Sequence, residues 1–262
     1  MRLIVRLAWL IGALLLAAAG GARTAEAAAS PFADWSWVVV AGDWHAHSGG
    51  PSEAFDNARR DVIKEFEQAG FDAANLKQFS VRPERYPDDH PEKSAPKGIY
   101  DALSDLTVKA KGGCLIYFSS HGAPMGVVVD QQFLSPGVLA NMVDTTCGKR
   151  PTVVIISACF SGVFVPLLSG SNRMVLTAAR PDRSSFGCGE ADKYPYFDQC
   201  VLETLPQAAD FTALGNMVQA CVAARETKEG MKPPSEPQLS IGPALRPMLP
   251  FYPLATAATR RN

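Results

Sequence analysis

An α/β fold with a mostly parallel central sheet, covered by helices on both faces, is what this 262-residue sequence predicts. Two observations carry that expectation. Apolar runs of strand length alternate with segments whose apolar residues recur at helical spacing, the pattern of βαβ units. The runs are apolar throughout rather than at every second position, as expected of strands buried on both faces. A third observation bounds the functional classes. With 47% hydrophobic residues the chain is not disordered, and 25 Lys and Arg against 26 Asp and Glu, a net −1, exclude an electrostatic nucleic-acid binder.

The first residues stand outside that fold. Arg2 and Arg6 precede an apolar stretch over residues 7–19, and small residues follow through Ala27-Ala28-Ala29. Basic, apolar and small-residue segments in that order make a secretory signal peptide, assigned to residues 1–29. The apolar stretch is shorter than the ~20 residues a spanning helix needs, so the alternative is a short membrane anchor formed by an uncleaved signal. Removing residues 1–29 takes away three Arg and one Glu and leaves a net charge of −3. The expected product is exported, periplasmic or secreted, with no stable membrane span.

Residues 35–42 (WSWVVVAG) form the first strand. Phe55, Ala58, Val62, Phe66 and Ala69 then share one helical face, and Gly70 ends that helix. Residues 76–81 are the second strand, and four prolines with many charges make 82–97 a loop. A helix over about 98–111 leads to a third strand at 114–119 (CLIYFS). Ser135 as N-cap and Pro136 in the first turn open a helix to about 143. Strands follow at 152–157 (TVVIIS) and 174–179 (MVLTAA), then helices at about 196–205 and 211–229. The folded domain is assigned to 30–232. A proline-rich tail, 233–262, packs on it, with 238–242 as an edge strand.

In such sheets the site lies at the carboxyl ends of the strands. The third strand runs into Ser119-Ser120-His121-Gly122, and the fourth into Ser157-Ala158-Cys159-Phe160-Ser161-Gly162. A thiol titrating at its ordinary ~8.5 is mostly protonated at neutral pH, and a neighbouring imidazole takes that proton or pairs with the thiolate. The N–H groups of Gly122 and Cys159 are candidates for an oxyanion hole. Taken singly, each residue is ordinary, since a cysteine after a buried strand usually acts as a small apolar side chain. Their joint position at consecutive strand ends is what points to chemistry.

The order strand, His-Gly, helix, strand, Ala-Cys resembles the caspase-like cysteine peptidases, and among them the legumain group (peptidase family C13) with its transamidase relatives. HGAPMG is similar to that group's His-Gly-x-x-Gly with one residue added, and SACFSG to its Glu-Ala-Cys-x-Ser-Gly. TAARPDRSSFGC, residues 177–188, resembles the TAAxPxxSSxxC segment that lines the primary specificity pocket. The likeness spans about residues 35–225 and implies a caspase-like three-layer sandwich. It implies a cysteine endopeptidase acting on peptide or protein substrates, with neither metal nor other cofactor. In that reading Cys159 is the nucleophile, His121 the acid and base, and Gly122 an oxyanion N–H, while Ser184 and Ser185 border the pocket. Acyl transfer to an amine through the same pair is one alternative, and a non-catalytic binding domain on this fold is another.

The departures from the family pattern matter as much. Ser157 stands where the group has an acidic residue. The Asn that orients the histidine is missing from Gly42-Asp43-Trp44, where Asp43 is the candidate for its role. The Arg-His pair that opens the first helix and binds an asparagine side chain is absent from Phe55-Asp56-Asn57-Ala58-Arg59-Arg60. Asp56, Glu190 and Asp192 are the acidic candidates for the substrate pocket, where they would suit a basic side chain.

His45-Ala46-His47 is a competing signal, because His-x-His after a first strand suits a metal-dependent amidohydrolase. Only His90 and His121 remain to complete such a site, so lining the cleft beside Cys159 is the expected role for His45 or His47. Gly-x-Ser-x-Gly, the serine-hydrolase elbow, is absent. With Cys159 reserved, five cysteines remain and at most two disulfides form. Cys114 with Cys147, at the amino-terminal edge of the sheet, is the first expected pair. The second would come from Cys188, Cys200 and Cys221.

Overall fold

A computed structural model describes residues 29–255. Apart from Ala29, the segment read as a signal peptide lies outside the described residues, as does the end of the tail. Among the described residues no helix is long and apolar enough to cross a membrane.

Strand β1 is Trp35–Ala41, buried along its whole length. Helix α1, Ala54–Gln68, turns Phe55, Ala58, Val62 and Phe66 inward as its spacing predicts. Strand β2 is Leu76–Ser80. The stretch expected to be only a loop carries a 3-10 turn, Pro83–Arg85, and a two-residue strand β3, Glu92–Lys93, on the sheet edge. Helix α2, Pro96–Lys109, starts two residues earlier than expected, because the fixed φ of Pro96 suits a first helical turn. After β4, Gly113–Ser119, comes a small antiparallel sheet that the apolar pattern had not marked. Its strands are β5 (Gly122–Ala123), β6 (Gly126–Val129) and β7 (Gln132–Leu134), too short for periodicity to register. Helix α3, Pro136–Thr146, has Ser135 as N-cap, its hydroxyl accepting the Val138 N–H at 3.4 Å. The chain continues through β8 (Thr152–Ser157), α4 (Val165–Leu168), β9 (Arg173–Thr177), α5 (Tyr196–Thr204), α6 (Phe211–Glu229) and β10 (Gln238–Ile241).

The main sheet has the order β10-β9-β8-β4-β1-β2-β3. Its neighbours are parallel except β10 against β9, so the edge strand expected in the tail is present and antiparallel. From β1 the chain builds outward through β2 and β3, then crosses back to β4 and builds the other way. The β1–β4 pair is therefore where strand order reverses, the place where such sheets open a crevice.

Alternate residues face opposite layers. Trp35, Trp37, Val39 and Tyr117 meet Val62 and Phe66 of α1, Phe197 of α5 and Phe211 of α6. Val38, Val40, Ile116 and Phe118 meet Leu103 of α2, Leu139 of α3 and Leu168 of α4. This is the three-layer sandwich the sequence predicts. Each such side chain contributes ~1.5–3 kcal/mol on burial, so packing on the sheet, not helix propensity, holds these short helices. Leu245, Leu249 and Leu254 of the tail join the first of these cores.

Two disulfides close loops of different length. Cys114–Cys147 ties the start of β4 to the end of α3 across 33 residues, and Cys200–Cys221 ties α5 to α6 across 21. Loops of that size stabilise by about 3–4 kcal/mol each. Cys159 and Cys188 are free.

Candidate active site

Register brings the two reactive residues to one edge. In the β4–β8 pair Ser119 lies opposite Ser157, and His121 and Cys159 each stand two residues beyond that rung. The close approach depends on Gly122. A Cβ there would lie 2.2 Å from the Cys159 carbonyl oxygen and 3.0 Å from the Ala158 Cβ.

The His121 ring is held on two sides. Its Nε2 lies 3.0 Å from the His45 carbonyl oxygen. A carbonyl only accepts, so Nε2 carries the proton, and the neutral ring leaves Nδ1 as the basic atom. Phe55 of α1 meets the imidazole edge-on at 5.0 Å between centroids. Asp43, expected to orient His121, does not touch it. Its Oδ1 accepts from the N–H groups of Trp44 (2.6 Å) and His45 (3.1 Å) and from His45 Nδ1 (2.7 Å). Asp43 thus holds the turn whose carbonyl orients His121. That corrects the expected direct contact, since its side chain is consumed by its own loop.

Cys159 Sγ accepts the Ser185 N–H at 3.2 Å and lies 3.5 Å from both Ser185 O and Oγ. A backbone donor on the sulfur stabilises negative charge there. Phe160, the next residue, has φ 57° in the left-handed region, a conformation costing ~1 kcal/mol. Its N–H is held by Arg183 O at 2.7 Å. No hydrogen bond joins His121 to Cys159 in this structure.

Below the pair lies Asp198 of α5, fully buried. Its Oδ2 accepts the hydroxyls of Ser157 (2.7 Å) and Ser119 (2.8 Å), and its Oδ1 accepts the Tyr117 hydroxyl. One carboxylate therefore ties the last residues of β4 and β8, each two positions before a reactive side chain. Burial pushes the Asp198 carboxyl up to about 6, with the three hydroxyl donors pulling it the other way. An acidic group is thus close to residue 157 after all, supplied by a different element.

A cavity of about 440 Å³ opens beside Cys159, bordered by Ser184, Ser185, Asp192, Tyr196, Met231 and other residues of the same loop. His47 also lines it, the role expected for one histidine of the His-x-His pair. Cys188 is in its wall, and burial together with the charges of Cys159 and Asp192 pushes its thiol up to about 11. Two expected pocket residues lie elsewhere. Asp56 is buried in α1, where it pairs with Arg59 Nε at 2.8 Å and accepts the Ser80 hydroxyl at 3.0 Å. Arg59, one turn along the helix, draws that carboxylate away from the cleft. Glu190 accepts the Ser48 hydroxyl at 2.6 Å and borders a neighbouring hollow. The expectation that Asp56 and Glu190 line the pocket is corrected on these contacts, leaving Asp192.

Sequence reasoning missed Phe55 as a support for His121, the His45 carbonyl, and Asp198. Position 198 is an acidic residue on the buried side of a helix, a signal the spacing of α5 carried. A backbone carbonyl has no such signal. Among the described residues, the one group of three donors within metal-ligating range is Cys200, Glu203 and Cys221, and its sulfurs are joined in a disulfide.

The Peptidase C13 family matches residues 105–228, the stretch that contains His121, Cys159, Ser184, Ser185 and Asp192. No curated protein matches the chain. Among solved structures the chain is similar to the crystal structure of caspase-1 from Spodoptera frugiperda, at a TM-score of 0.59 and 14% identity, over 81% of this chain and 88% of that one. At that identity the likeness shows the fold, a caspase-like α/β sandwich.

Proposed function

We propose that this chain, which matches the Peptidase C13 family over residues 105–228 and has a caspase-like fold, is a cysteine endopeptidase of the legumain-like type. His121 Nδ1 takes the Cys159 proton as sulfur attacks the carbonyl carbon of a peptide bond. The N–H groups of Gly122 and Cys159 hold the oxyanion. The C–N bond breaks, the leaving amine takes the proton from His121, and a thioester remains on Cys159. Water, losing a proton to His121, then cleaves the thioester and restores the thiol. The observation that carries this reading is the His45 carbonyl on Nε2, which leaves Nδ1 as the basic atom at the edge where Cys159 borders the cavity.

The test is cleavage of a peptide library by the protein without residues 1–29, compared with Cys159→Ala and His121→Ala. Loss of about 10²-fold or more is expected in each, and undiminished cleavage by both variants would sink the thiol mechanism. An added amine nucleophile separates hydrolysis from transfer: acylated amine in place of free acid would mean a transamidase.

We also propose that residues 1–29 direct export and are removed. The two disulfides support an oxidising destination. The intact mass of the exported product should lack those residues, and a full-length, membrane-bound product would instead favour the uncleaved anchor.

A further inference from the structure

We infer that the cavity beside Cys159 takes a lysine or arginine side chain, with Asp192 as the residue that selects it, so that cleavage falls after basic residues. This rests on the endopeptidase reading above and adds the substrate class to it.

The lining of the cavity is acidic: Asp192 borders it, and among the described residues no Lys or Arg does. Asp192 also borders the neighbouring hollow where Arg82, Arg85 and Lys193 stand. Asp192 Oδ2 accepts the Gly189 N–H at 2.7 Å, which fixes the carboxylate. Its Oδ1 has no hydrogen-bond or ion-pair partner among the described residues. Two cations near the cavity, Lys193 and Arg225, have partners of their own. Lys193 Nζ sits 4.8 Å from the Tyr194 ring centroid, and Arg225, whose guanidinium lies 5.5 Å from the Tyr196 ring centroid, bonds Gln199 Oε1 at 2.6 Å and Glu203 at 2.9 Å. Burial, Glu229, Asp192 and Glu226 push the Tyr196 hydroxyl in the cavity wall up, against the opposing charge of Arg225.

The walls fit the rest of such a side chain. Phe186, Tyr196 and Met231 offer apolar surface to a methylene stem, and the Ser184 hydroxyl offers a further acceptor. An acidic side chain would meet Asp192 with like charge. An asparagine side chain has no long methylene stem to lay on the apolar wall, and it brings no charge to pair with Asp192. A bound guanidinium or ammonium would instead form a charge-assisted hydrogen bond to Oδ1.

The experiment measures kcat/KM on matched peptides with Arg, Lys, Asn, Asp or norleucine before the scissile bond. Arg and Lys should exceed norleucine by roughly 10- to 100-fold, and Asp192→Asn should remove that preference. Asparagine is isosteric and still accepts the Gly189 N–H, and its fold is checked by circular dichroism. Glu190→Gln, outside the cavity, should keep the wild-type Arg-to-norleucine ratio, and an equal loss in both variants would overturn the assignment to Asp192. Cleavage that depends on Cys159 but prefers Asn, Asp or norleucine overturns this inference alone. Cleavage that survives Cys159→Ala overturns the endopeptidase reading instead. A second readout needs no turnover: N-acetyl-arginine amide should slow alkylation of Cys159 more than N-acetyl-norleucine amide does, and equal protection would overturn the inference.

Discussion

Asp198 shows how one side chain sets both geometry and pH response. Its ordinary carboxyl value is 3.8, and burial raises it to about 6 in the fold. Between those values the folded chain holds a proton that the unfolded chain has released. Stability from this group is therefore fully present below about pH 4, declines as pH rises through 6 and levels off above. The charged form costs on the order of 3 kcal/mol. Asp198→Asn cannot ionise, so from pH 5 to 7.5 its melting temperature should fall less than that of the wild type. Parallel curves for the two proteins would refute the ionisation. Gly122 makes the same point sterically, because any side chain there would collide with the Cys159 backbone. Cys159 and His121 were legible in the sequence because each follows an apolar strand directly. The partner of His121 was not, since the His45 carbonyl belongs to the backbone and its direction is set by the Asp43 turn.

Among the elements, α6 does more than cover the sheet. Phe211, Leu214, Val218 and Val222 form its buried stripe, and Glu226 continues that stripe one turn further. The Glu226 carboxylate accepts the Ser235 N–H at 3.0 Å and the Ser235 hydroxyl, while Ser235 O accepts the Arg180 N–H at 2.9 Å. Helix α6 thereby anchors the tail and, through Arg180, the start of the segment that carries Ser184 and Ser185. Glu226→Ala leaves two buried donors of Ser235 unpaired, and a loss of about 2–3 kcal/mol is expected. Faster amide exchange in β10 should accompany it, and unchanged protection there would show that the tail is held by its apolar contacts alone. The short strands β3, β5, β6 and β7 and the early start of α2 escaped the sequence reading. Segments of two to four residues carry no measurable period, and prolines mark a helix start as readily as a loop.

At the scale of the molecule, the cysteines and the export proposal meet in one measurement. The exported product, unfolded in denaturant without reductant and treated with iodoacetamide, should gain two carbamidomethyl groups, on Cys159 and Cys188. More than two would mean that one of the two bridges is absent. Loss of Cys114–Cys147 alone, as in Cys114→Ser with Cys147→Ser, should lower the melting temperature while leaving the strand ends near residues 121 and 159 in place, because that bridge lies at the opposite edge of the sheet. The sequence by itself determined the α/β layering and the strands bearing His121 and Cys159, and it offered Cys114 with Cys147 as the first expected pair, which the structure contains. These follow from run length, helical spacing and edge position, which neighbouring residues carry among themselves. Only the tertiary structure decided that Asp192, and neither Asp56 nor Glu190, borders the cavity, and that Asp198 stands under Ser157 from 41 residues away. Such choices depend on strand order and on the path of loops between distant segments, where hydrogen bonds and burial select among carboxylates that look alike in the sequence.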